Sequence, residues 1–144
     1  MRKFATAQRG AYYAGPGNRF WEILAKTGLT PHRFSPEQYP SLLKFGIGLT
    51  DLVKGKSGQD AKLSAGDFDV SGLRAKIEKH APKAVAFNGK KAAQLFFASP
   101  SVEYGPQMEK IGPTSLFVLP STSGAARGIW DPKYWFQLAK FVGT

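Results

Sequence analysis

Ala84-Val85-Ala86-Phe87-Asn88-Gly89-Lys90-Lys91 decides the fold: four apolar residues in a row break at an asparagine and a glycine, and two lysines open the next element. A short run that is apolar on both faces reads as a strand covered on both sides, as in a parallel sheet. Residues 91–97 then predict a helix, so the unit is strand, turn, helix. The pattern recurs on either side. Residues 45–53 predict a short buried strand with Gly46 and Gly48 inside it, opening into a loop at Thr50-Asp51. Leu116-Phe117-Val118-Leu119 predicts a further buried strand, and Pro120-Ser121-Thr122-Ser123-Gly124-Ala125-Ala126-Arg127 a loop delivered by it.

Between these strands the helical signals are local. Asn18 caps a helix through Phe20, Trp21, Ile23 and Leu24, which Gly28 stops. Ser35-Pro36-Glu37 supplies the cap, first-turn proline and early acid of a short second helix. A helix through Leu73, Ala75 and Ile77 ends before Pro82, and Asp131-Pro132 starts a last amphipathic helix carrying Trp135, Leu138 and Val142. Residues 1–17, 54–67 and 99–112 read as loops, rich in glycine and proline or in polar residues. Strands alternating with helices predict an α/β three-layer sandwich with a short, mostly parallel sheet, forming a single domain over residues 1–144. Such sheets bind ligands beyond the carboxyl ends of their strands, and Asp51, Asn88 and Ser121 each follow a predicted strand.

Twenty Lys and Arg stand against ten Asp and Glu, a formal net charge of +10 that favours a polyanionic partner such as nucleic acid. An aromatic fraction of 13% is enough to fill a core. The absence of cysteine excludes disulfides, thiolate chemistry and cysteine-ligated zinc. His32 and His80 are far apart and each lies close to a proline, which favours turn or helix-end roles over catalysis or metal binding. No apolar stretch has the length of a membrane span, and the first residues lack a signal-peptide core, so the expected location is the cytoplasm, on the nucleoid if the cell is bacterial.

Nucleotide hydrolysis is disfavoured, because Gly89-Lys90 is followed by Lys91 and lacks the first glycine of a phosphate-binding loop. Gly15-Pro16-Gly17 has a proline where a dinucleotide fingerprint would not, and neither Ser121 nor Ser123 sits in a nucleophile elbow. Lys90 and Lys91 open a helix whose first amides favour an anion. The small hydroxylated residues 121–123 can approach a phosphate closely, with the Arg127 guanidinium beyond them.

In their order along the chain, residues 13–21, Gly46-Ile47-Gly48-Leu49-Thr50-Asp51-Leu52-Val53, Phe87-Asn88-Gly89-Lys90 and residues 119–127 resemble the mismatch-specific uracil-DNA and thymine-DNA glycosylases of the uracil-DNA glycosylase superfamily. The resemblance implies an enzyme that flips uracil or mispaired thymine out of DNA and hydrolyses its N-glycosidic bond, leaving an abasic site without metal or cofactor. It makes Tyr13 the aromatic that stacks on the base. Asp51 falls where the family has a polar residue contacting the base; as an aspartate it departs from the family's usual asparagine or lysine, and it acts as acid, base or hydrogen-bond donor, or caps the following turn. Ser121, Thr122 and Ser123 correspond to the hydroxyl-rich second motif beside the flipped nucleotide, with Ser121 placed at the catalytic centre. Ala125 replaces a bulkier wedge, Arg127 lies against the DNA, and Asn88 and Lys90 serve the base or its phosphates.

The resemblance also implies a buried first strand running into a water-positioning residue. Counted back from Tyr13 that residue falls on Met1, and Arg2-Lys3-Phe4-Ala5 does not replace the strand. The expectation is therefore a fold lacking its first strand: a sequence whose natural start lies further upstream, a truncated or non-catalytic DNA-binding relative with little or no hydrolysis, or an enzyme in which Asp51 positions the water. A bare sheet edge left by that loss invites a homodimer.

Overall fold

The fold is built on a strand that the sequence reading did not expect. In the computed structural model, which describes residues 4–8, 18–51, 70–122 and 130–143, β1 (Phe4–Gln8) lies inside the sheet, parallel to strands on both sides. The elements that follow are α1 (Phe20–Lys26), a 3-10 helix (Pro36–Phe45), β2 (Ile47–Asp51), α2 (Val70–His80), β3 (Ala84–Asn88), α3 (Lys90–Phe97), β4 (Gly105–Ile111), β5 (Thr114–Leu119) and α4 (Lys133–Gly143). The strand order is β2-β1-β3-β5-β4, parallel throughout except that β4 runs antiparallel to β5.

Two expectations are corrected by this sheet. The first strand is present: Phe4 pairs with Ile47 on one side and Ala84 on the other, and the register continues to Gln8 beside Asp51. Phe4-Ala5-Thr6-Ala7-Gln8 has no apolar run to announce it. It is a strand because neighbours on both sides satisfy its backbone groups. The outer strands are β2 and β4, so no edge is left bare by the loss of a first strand. The second correction concerns residues 99–112, read as loop, which contain β4. Gly105, Pro106 and the Glu109-Lys110 pair hide it, since an edge strand with one open side accepts proline and charge. Gly112 turns the chain from β4 into β5 within two residues, at the positive φ of +56° that a tight hairpin requires.

The two faces of the sheet are read off β3. Ala84 and Ala86 join Phe20, Trp21, Leu42, Phe117, Leu119, Trp135 and Leu138 in one core, under α1, the 3-10 helix and α4. Val85 and Phe87 join Leu73, Ile77, Phe96, Leu116 and Val118 in the other, under α2 and α3. All four β3 residues from Ala84 to Phe87 are fully buried, which explains the continuous apolar run. The small alanines leave room on the first face for the aromatic rings. At the amino edge of the sheet, the buried Thr114 hydroxyl donates to the Pro82 carbonyl at 2.6 Å, tying the start of β5 to the approach to β3.

The helix starts follow their sequence signals. Asn18 Oδ1 accepts from the Phe20 N–H at 2.9 Å, and Asp131 Oδ1 from the Lys133 N–H at 3.1 Å. The Ser35 N–H donates to Gln38 Oε1 at 2.8 Å while the Gln38 N–H returns to the Ser35 carbonyl at 2.9 Å, one arm of a capping box. α3 ends on Ala98 at φ +53°, a left-handed conformation that costs an L side chain about 1 kcal/mol. Ala98→Gly is therefore expected to stabilise the protein by up to about 1 kcal/mol, read as a rise of about 3 °C in Tm by calorimetry.

Candidate active site

The strand order reverses between β1 and β3: β1 leads outward to β2, and β3 leads outward to β5. Chains leaving the carboxyl ends at such a switch point diverge and open a crevice there. Gln8 ends β1, Asp51 ends β2 beside it in register, and Asn88 ends β3 opposite Leu119 of β5. The backbone thus brings Gln8, Asp51, Asn88 and the loop after β5 to one edge. Three of these positions were expected from the sequence. Gln8 was not, and its only signal was the strand that had gone unread.

Asn88 is locked to the loop. Its Nδ2 donates to the Thr122 hydroxyl at 2.8 Å, and its Oδ1 accepts from the Thr122 N–H at 2.9 Å. The Thr122 carbonyl accepts from the Arg19 N–H at 2.7 Å, so one threonine joins β3, the β5 loop and the start of α1. Thr122 is fully buried, and each of its polar groups is engaged inside the protein. Asn88 Nδ2 carries two hydrogens, one of which goes to the Thr122 hydroxyl.

Gly89 completes the join. Its N–H donates to the Leu119 carbonyl at 2.8 Å, and at φ +108° a Cβ added there would lie 3.2 Å from the Ser121 Cβ. Only glycine lets β3 and the loop approach this closely. Trp135 holds the same loop from below, its indole N–H donating to the Pro120 carbonyl at 3.2 Å. Ser121 is thereby fixed on both sides, half-buried at the carboxyl edge.

Cations flank the loop. The Lys90 ammonium, at the start of α3, lies 4.4 Å from the centre of the Tyr104 ring, and Lys133 lies 5.0 Å from that of Tyr134. The two tyrosine rings are 5.4 Å apart. Burial, and then the neighbouring Tyr134, push the Tyr104 phenol above its ordinary pKa, so it stays neutral beside the ammonium. On the other flank the Arg19 guanidinium sits 5.0 Å over Trp130. Sequence reading found Lys90 but not its aromatic partner, because the Tyr104 ring comes from another segment, beyond α3. Tyr13, Ser123, Ala125 and Arg127 lie outside the described residues, and for Asp51 only the backbone position is described.

The sequence profile of the Uracil DNA glycosylase superfamily matches residues 3–139. The chain belongs to this superfamily. Membership brings a DNA-glycosylase type of function, with DNA as substrate and base excision repair as its setting. The match begins at residue 3 and so takes in β1, the strand that the motif comparison had judged missing. The match also spans the switch point where β1 and β3 part, the edge at which Gln8, Asp51 and Asn88 end their strands.

Proposed function

We propose that this glycosylase hydrolyses the N-glycosidic bond of uracil, or of thymine mispaired with guanine, after the nucleotide is flipped into the crevice between β1 and β3. The observation that carries the reading is the Asn88–Thr122 lock, which fixes the hydroxyl-rich loop beside the strand ends inside the superfamily match. Water adds to the anomeric carbon, the bond to the base nitrogen breaks, and its electron pair leaves with the uracil anion. That anion needs donors on its edge. The Asn88 side-chain amide, at the end of β3, is one. Asp51 positions the water and takes its proton, while Tyr13 stacks on the base. Ser121 and Ser123 hold the backbone of the flipped nucleotide through hydroxyl and main-chain groups, while Thr122, expected from the sequence to contact DNA, is buried behind them and fixes the loop instead; Lys90 and Arg127 take phosphates on either side. Ala125 leaves the gap in the duplex unfilled, which favours mismatched or single-stranded DNA, where unstacking costs less.

The test is alkaline cleavage of a labelled oligonucleotide carrying one uracil, single-stranded or opposite guanine, with a thymine–guanine duplex in parallel. Asp51→Ala is expected to lower excision by about 100-fold or more, with DNA affinity changed only a few-fold. Binding without excision by the unaltered chain would show a non-catalytic DNA-binding relative instead.

A further inference from the structure

A groove of about 380 Å³ opens between α1 and α4, lined by Arg19, Ile23, Lys26, Trp130, Pro132 and Phe136. These residues come from α1, α4 and the positions just before them, not from the strand ends that face the crevice. We propose that this groove takes the unpaired base of a nucleotide flanking the excised one, so that the protein holds a single strand of DNA beyond its target. The proposal rests on DNA being the substrate, and it adds a second base-binding site.

The chemistry of the walls selects the ligand. Phe136 leaves 47% of its surface open, and with Met108 it is one of two large apolar side chains so exposed among the described residues. Trp130 supplies an indole, and Arg19 a planar cation already held over that ring. Flat apolar surface beside fixed cations suits a base joined to its phosphate. Glu22 is the single acid at the rim, and Lys26 pairs with it at 3.2 Å. The remaining charge is that of Arg19, in a chain whose net charge is +10. A peptide of ordinary composition would not need the stacked guanidinium. A nucleotide uses both its face and its charge.

Position supports the same occupant. Arg19 lines the groove with its side chain while its backbone N–H donates to the Thr122 carbonyl at 2.7 Å. The groove is thus one residue from the loop that borders the crevice, and its geometry is tied to that loop. Met108, more open still, stands on the edge strand β4 away from the lining of this groove and serves as a control.

The experiment measures binding of a fluorescein-labelled twelve-residue oligothymidylate, free of uracil, to the full chain at low salt by anisotropy. Phe136→Ala and Arg19→Ala are each expected to weaken binding about tenfold, and Met108→Ala not at all. Arg19→Ala leaves the backbone bond to Thr122 in place, and thermal melts confirm that each variant folds. Phe136→Leu keeps the apolar volume but removes the ring, and is expected to bind as weakly as Phe136→Ala. Full affinity in Phe136→Leu, unaltered affinity in both alanine variants, or no binding by the unaltered chain would overturn the groove assignment. Uracil excision by the same proteins separates the two readings. Excision with no groove effect leaves the glycosylase standing alone, and a groove effect without excision leaves the strand-binding site standing alone.

Discussion

Trp135→Ala is expected to lower stability by about 4 kcal/mol, a fall of roughly 10 °C in Tm, and to abolish any measurable excision at physiological temperature. The indole is fully buried in the core beneath α4, edge-on to Phe20 with ring centres 6.1 Å apart. Truncation removes the apolar contacts and leaves a cavity under the sheet, while the Pro120 carbonyl loses its donor. Trp135→Phe separates these effects. It keeps most of the packing and deletes the N–H, for an expected cost of about 1 to 2 kcal/mol in denaturant unfolding. If the hydrogen bond matters to the site as well as to stability, Trp135→Phe loses more excision activity than its fraction folded explains. A loss that tracks only the folded fraction would confine Trp135 to packing.

The second large effect is expected at the strut between β3 and the loop. Asn88→Ala removes both bonds to Thr122 at once and leaves a buried N–H and hydroxyl without partners, a cost of about 3 kcal/mol. Thr122→Val removes only the hydroxyl and keeps the backbone donor, so its cost should be about half as large. The double variant tells whether the two residues act as a unit. With Asn88 already absent, Thr122→Val should cost little further, giving a coupling of about 1 kcal/mol or more in a double-mutant cycle. Additive losses would mean that each residue is held by other neighbours and that the loop does not depend on the pair. Asn88→Asp offers a sharper version. It keeps Oδ1 as acceptor for the Thr122 N–H but replaces the donor to the hydroxyl, and it places negative charge where a departing uracil anion would need stabilisation. Its excision should fall further than its stability does.

The parts of the fold that could be read early share a physical character. β3 and the apolar core of β5 announce themselves because both faces of each are buried, which forces an unbroken apolar run. The starts of α1 and α4 are equally plain, since Asn18 and Asp131 satisfy the exposed amides within two residues of their own position. The site was partly legible for a related reason: Asp51, Asn88 and Ser121 stand at or just beyond strand ends, and a parallel sheet sends those ends to one edge. β1 failed because its small and polar residues carry no periodic signal, and the motif comparison moved the missing strand upstream of Met1. β4 failed because an edge strand can hold Pro106 and charged residues without losing its ladder.

The sequence by itself determined the alternation of strands and helices, the positive charge, and the superfamily resemblance of the loops. It did so because capping, burial periodicity and charge are properties of neighbouring residues. Only the tertiary structure decided that Phe4–Gln8 sits between β2 and β3, that Asn88 clasps Thr122 across 34 residues of chain, and that Arg19 meets Trp130 at the mouth of a groove. Those contacts join segments distant in sequence. Their free energy comes from mutual satisfaction of buried groups, which no segment displays until its partner is in place.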